Sequence, residues 1–229
     1  MYADDPHDLE ARPALRATSR ALGLGSAFCV AYVVVRARVE GDLAFVFLLW
    51  NLLLAWVPWR CALAASRNSG WRRGVWLAAW LAFLPNSYYV VTDLRHVTHS
   101  PEAINWVDLM AVVSCAWTSA MFGFGSVVVV QDRIARARGA VWGWLAALSA
   151  LALSGFGVYL GRFRRWNSWD ALLDPFALFA DVWAQLRHPF RHAVGTSFSI
   201  TFAGFVITTY VAIVAIARLR ADLSVERGG

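Results

Sequence analysis

Two polar segments interrupt a strongly apolar chain, and they hold the side chains best suited to chemistry. The first is Leu84-Pro85-Asn86-Ser87-Tyr88-Tyr89-Val90-Val91-Thr92-Asp93-Leu94-Arg95-His96, and the second is Gly161-Arg162-Phe163-Arg164-Arg165-Trp166-Asn167-Ser168-Trp169-Asp170. Three Arg between aromatic residues suit an anion, because guanidinium offers planar, paired donors that match phosphate or carboxylate. Trp166 and Trp169 flank the amide of Asn167, and Asp170 closes the run. In the first segment, Asp93 suits a general base, a cation ligand or an Arg partner. Asn86, Tyr89 and Thr92 stand near it in sequence and can orient a ligand. Asp170 is the second candidate base.

Each segment also has a purely structural explanation. Pro85 lacks an N–H and clashes with the carbonyl one turn back, so a helix must bend or unwind there. In a bilayer the freed carbonyls need partners, and Asn86, Ser87, Tyr88 and Thr92 can supply them. The Arg-Trp run reads equally as an interfacial belt, with Trp at headgroup level and Arg on lipid phosphates. Asp93 or Asp108 can pair with one of Arg162, Arg164 and Arg165 and lock helices together. Four His (His96, His99, His188 and His192) form two pairs at helical spacing and are a weak metal-site alternative beside Asp93. There is no HExxH pattern, so no metal is expected, and no cofactor either. Walker, GxSxG and dinucleotide fingerprints are also missing from the sequence.

The elements that carry these segments follow from composition and hydropathy. Of 229 residues, 59% are hydrophobic and 16% charged, against about 25% charged in soluble domains. Thirteen Trp and fourteen Phe fit spans and interfaces. The formal charge is +6 and all 21 basic residues are Arg. They sit between apolar runs, as membrane loops do, so nucleic acid is not expected as a partner. Cys29, Cys61 and Cys115 all fall in apolar runs and read as inert buried thiols. The acidic start (Asp4, Asp5, Asp8, Glu10) lacks the basic opening of a signal peptide, so no cleavage is expected.

A span needs about 20 apolar residues. The expectation is an all-α polytopic bundle forming a single domain over 1–229, with six transmembrane helices at about 18–36, 42–65, 73–92, 107–130, 141–162 and 195–217. A seventh, amphipathic helix at about 174–187 is expected in the interface, opened by Asp174-Pro175 and carrying Phe176, Phe179, Trp183 and Leu186 on one stripe. With six spans and the N-terminus inside, 13 Arg face the cytoplasm and 8 face out, which satisfies the positive-inside rule. Both termini are then cytoplasmic, and the membrane expected is the cell's inner (plasma) membrane. Five of the eight outer Arg crowd between Arg162 and Arg191. Both polar segments then lie at the outer face, where they can meet in one pocket. Ionisable residues are missing from the span interiors, and only Asn51 and Asn86 are strong amide groups there, which argues against proton-coupled transport.

Several of these residues carry a family resemblance. Leu84-Pro85-Asn86, Tyr89, Thr92-Asp93-Leu94, His96, Trp106-Val107-Asp108, Asn51–Trp56 and above all Gly161–Asp170 resemble the bacterial membrane family called domain of unknown function 1361. The likeness covers roughly Leu43 to Leu173. It implies a shared membrane fold and marks the same site residues, and it implies no activity. The first functional expectation is an outward-facing, Arg-rich pocket for an anionic lipid headgroup or lipid-linked phosphate. Asn86, Tyr89, Thr92, Asp93, Arg162, Arg164, Arg165, Trp166, Asn167, Trp169 and Asp170 would form it. The rivals are a non-enzymatic structural or partner subunit of a membrane complex and a small-solute transporter. The partners expected are the bilayer and an anionic lipid.

Overall fold

The computed structural model describes residues 13–41, 43–93, 106–164, 166, 174, 176, 180, 182–183, 187 and 193–226. Among them the secondary structure is entirely helical. The elements are α1 (Pro13–Glu40), α2 (Val46–Arg67), α3 (Gly70–Phe83), the single turn α4 (Asn86–Tyr89) with a 3-10 turn at Val90–Asp93, α5 (Trp106–Arg138), α6 (Ala140–Phe163) and α7 (Ala193–Glu226). Five of these helices, α1, α2, α5, α6 and α7, are long and apolar enough to cross a membrane. This is a helical membrane protein. The helices overrun the apolar windows at their ends. The 33 residues of α5 span about 50 Å at 1.5 Å per residue, against a hydrocarbon core of about 30 Å. Its C-terminal overhang carries a solvent-type pair, Arg136 Nη1 to Asp132 Oδ2 at 2.7 Å.

The stretch expected as the third span is α3, the break and the two short turns. Only 14 residues of it form a regular helix. The stretch expected as an interfacial helix lies largely outside the described residues, as do His96, His99, His188 and His192.

The chain divides into two compact units, Met1–Ala147 and Leu148–Gly229. In the first, α5 is the central element, against which α1, α2 and the broken α3–α4 segment pack. Leu48, Leu52, Trp59, Leu63, Val90, Val112, Cys115 and Phe122 are buried together there, with Leu22, Cys29 and Val33 of α1. Glycines set how closely α5 is approached. A Cβ on Gly123 would stand 2.7 Å from Ser87 Cβ and 2.8 Å from the Tyr88 ring, and one on Gly125 would stand 2.9 Å from the Trp59 ring. Trp80 of α3 is buried and donates from Nε1 to Ser126 Oγ at 2.9 Å. Short connections fold α2 back to α3 and α5 back to α6. Gly139, at φ 99°, makes the second reversal in a conformation that side chains resist.

In the second unit α6 and α7 pack closely. A Cβ on Gly155 would lie 2.8 Å from Ser199 O and 2.9 Å from Ala203 Cβ. Aromatic rings continue the contact from Phe163 to Phe198 (centroids 5.0 Å) and from Phe198 to Phe202 (5.5 Å). Large apolar side chains elsewhere face outward. Trp50 and Trp106 are exposed near the starts of α2 and α5, and Trp71 and Trp142 near the starts of α3 and α6. That is the distribution of Trp at two membrane interfaces.

The glycine contacts generate a paired prediction. Gly123→Leu drives a branched side chain into Ser87 and Tyr88, so it should lower the melting temperature in mild detergent by at least several degrees and broaden the size-exclusion peak. Gly74→Leu, where an added Cβ meets nothing within 4 Å, should leave both unchanged or raise the melting temperature slightly, since Gly costs a helix interior about 1 kcal/mol.

Candidate functional site

The first polar segment is built around Pro85. Leu84 and Pro85 keep right-handed helical dihedrals, so the chain tightens at the break and does not unwind. Ser87 N donates to Leu84 O at 3.1 Å and Tyr88 N to Pro85 O at 3.1 Å, both three residues back. Side chains complete the patch. Asn86 Nδ2 donates to Phe83 O (3.2 Å), Thr92 Oγ1 to Tyr89 O (2.7 Å), and Ser87 Oγ crosses to Ala55 O of α2 (3.2 Å). Asn86 and Thr92 thus serve carbonyls of the broken segment, as the sequence suggested, whereas Ser87 serves a carbonyl of α2. Tyr88, fully buried, packs its ring on Phe124 of α5 at 5.1 Å between centroids.

Two carboxylates sit at this end of the first unit, and each is held by a donor from another helix. Asp93 is 2% exposed, and Asn51 Nδ2 donates to its Oδ2 at 2.9 Å. Asp108, in the first turn of α5, takes a two-pronged bond from Arg36: Nε to Oδ1 at 2.8 Å and Nη2 to Oδ2 at 3.3 Å. Tyr32 donates its hydroxyl to the same Oδ1. The Arg36 guanidinium lies 4.5 Å from the Phe45 ring centroid, and that ring meets Tyr32 edge-on. The sequence had offered Arg162, Arg164 and Arg165 as partners for Asp108. The structure gives it Arg36.

Of the expected site residues, Asn86, Tyr89, Thr92 and Asp93 therefore come together at the break. Asn51, absent from the expected site residues, joins them. Arg162, Arg164 and Trp166 stand at the end of α6. Arg162 is half-buried, Arg164 exposed and Trp166 half-buried. The backbone N–H groups of Arg164 and Trp166 both donate to Leu160 O, at 3.1 and 3.2 Å, which curls the chain at the helix end. Arg165, Asn167, Trp169 and Asp170 lie outside the described residues. Among the described residues, no three His, Cys, Asp or Glu side chains gather as a metal site would require.

A family model covers residues 50–212, and its description is "Protein of unknown function (DUF1361)". The chain belongs to this family. The match spans both polar segments and leaves α1 outside. No curated protein and no solved structure matches the chain.

The chemistry of the paired acids is electrostatic anchoring. A buried ion pair that loses one partner leaves an uncompensated charge, at a cost of about 3–5 kcal/mol. Arg36 and Asp108 keep 17% and 13% of their side-chain surface, so about 2 kcal/mol is the scale expected here. Asp108→Ala and Arg36→Ala should each destabilise the detergent-solubilised protein by that amount. The double variant should cost less than the sum of the two, by roughly 1 kcal/mol or more in a double-mutant cycle. Strict additivity in chemical unfolding would mean that the pair contributes nothing.

Proposed function

We propose that this family member is a six-span inner-membrane protein that binds the phosphate of an anionic lipid headgroup, or of a lipid-linked phosphate, at its outer face. Arg162, Arg164 and Arg165 are the binding residues, with Trp166 and Trp169 at headgroup level. The observation that carries the reading is the pairing of exposed Arg164 with half-buried Arg162 and Trp166 at the end of a membrane-length helix. Guanidinium groups held at that depth meet lipid phosphates with two donors each. In this reading the broken third span crosses the bilayer, both termini are cytoplasmic, and 174–187 lies in the interface, where Phe176 and Trp183 expose apolar rings. The proposal contains no chemical step.

A second reading is favoured by a separate observation. Asn51–Asp93 and Arg36–Asp108 engage the polar groups of the first unit in holding helices together. That is what a structural subunit of a membrane complex needs, and Asp93 then acts as a tether. Cross-linking to one dominant protein partner, with no retained lipid, would favour this reading over the first.

Two measurements test the proposal. In a variant lacking Cys29, Cys61 and Cys115, single cysteines at Ser100 and Ser168 should label from outside the cell, and one at Ser69 should not. Labelling of Ser100 and Ser168 from opposite sides would rule out the six-span arrangement. After gentle extraction, anionic lipid should co-purify with the wild-type chain and fall at least severalfold in the Arg164→Ala/Arg165→Ala variant. Equal retention would end the headgroup reading.

A further inference from the structure

Cys29 and Cys115 are distant in the chain and meet across the seam between α1 and α5. Two contacts bracket them. On one side, Arg36 reaches Asp108 at 2.8 Å. On the other, a Cβ on Gly25 would stand 2.8 Å from Thr118 Oγ1. Moving back along α1 therefore moves forward along α5, and the two helices run antiparallel. Cys29 stands seven residues before Arg36, and Cys115 seven after Asp108. Two turns of helix from one ion pair bring both cysteines to the same level. Both are 1% exposed and belong to one buried cluster. Their thiols are joined by a hydrogen bond, and Thr118 hydrogen-bonds the Cys29 sulfur as well. Cys61 of α2 is also buried but stands outside this seam, so it serves as an internal control.

The geometry points to a modification site: hydrogen peroxide oxidises Cys29 and Cys115 to a reversible disulfide that staples α1 to α5. A disulfide forms only where the two Cβ atoms come within about 3.5–4.5 Å. Thiols already bonded to each other across neighbouring helices need little backbone movement to reach that. In the first step one thiol attacks the peroxide. The O–O bond breaks, a sulfenic acid forms, and water leaves with the thiol proton. The second thiol then attacks the sulfenic sulfur. The S–O bond breaks, the S–S bond forms, and a second water carries off the remaining proton. Two thiols lose two electrons and one peroxide gains them. Peroxide is neutral and little larger than water, so it enters an apolar interior that excludes charged oxidants. The bond matters most for α1, whose apolar window is only 17% buried against 67% for that of α5. It also joins a helix that the family model does not reach to one that it covers. The pair shares no residue with the headgroup site proposed above and is independent of that reading.

The test uses the full-length wild-type chain, so it does not depend on a variant that folds. Protein in nanodiscs is treated with hydrogen peroxide, unfolded in detergent with a maleimide, and mapped by mass spectrometry without reductant. Cys29 and Cys115 should leave the maleimide-reactive pool together and appear as one linked peptide pair, lighter by two hydrogens. Cys61 should stay reactive, and added dithiothreitol should return the other two thiols. Oxidation should raise the melting temperature by at least several degrees, and Cys115→Ala should show no such rise. If Cys29 and Cys115 still react with the maleimide after treatment, the inference is overturned. Sulfinic acid on either sulfur without a link, a link that includes Cys61, or a disulfide between two chains would each overturn it too. A linked chain that melts no higher than the reduced one would overturn the staple.

Discussion

Pro85 has no N–H to give, and it sits in a segment packed against membrane-length helices, where an unbonded carbonyl cannot turn to water. Much of the first unit is arranged around that deficit. The backbone shortens its hydrogen bonds to three-residue spacing after Leu84. Asn86 and Thr92 spend their side chains on nearby carbonyls. Ser87 donates across to a carbonyl of α2, so the broken segment is also tied to another helix. The tightened turns need room, and α5 provides it by carrying no side chain at Gly123. The break, the inter-helix bond and the glycine are one solution, and a change in any of them loads the other two.

The same physics governs the carboxylates. An acid near the edge of the hydrocarbon region must be neutralised or paired, and pairing from a distant helix converts the cost of burial into specificity of packing. Asp108 draws α1 to α5 through Arg36 and Tyr32. Asp93 draws the end of the broken span to α2 through Asn51. These bonds fix which helix faces which at the polar end. The interior fixes it by shape, since Leu and Val there have no directional preference.

Some of this was legible in the sequence and some was not, for identifiable reasons. Apolar run length is a local property, so the long apolar helices showed themselves, and α5 and α7 continue past the expected spans on ordinary helix propensity. The consequence of Pro85 was also local, and Asn86 and Thr92 lie three residues from the carbonyls they serve, whereas Ser87 bonds Ala55 O, 32 residues away. The partners of the acids were not local. Asn51 and Asp93 are 42 residues apart and Arg36 and Asp108 are 72 apart, and nothing in spacing ranks Arg36 above the conspicuous Arg162–Arg165 cluster. Gly123 carried no mark in the sequence, because a close approach leaves no trace but a missing side chain. The groove between α1 and α2 was equally invisible, since its two stripes become one surface only when the helices pair.

The two ends of the first unit handle charge in opposite ways. At the Asp93–Asp108 end, each acid meets a donor from within the protein. At the Arg67 end, Arg16, Arg20, Arg60 and Arg67 line one groove between α1 and α2. A bilayer with anionic lipid makes that asymmetry sensible. Acids placed against a negative surface must be satisfied internally, because the membrane offers them only repulsion. Arginines are favoured there whatever they meet within the protein, because each gains about 1 kcal/mol from a negative leaflet. The protein thus closes one end with paired side chains and gathers cationic side chains at the other, so its packing and its charge distribution answer to the same electrostatic rule.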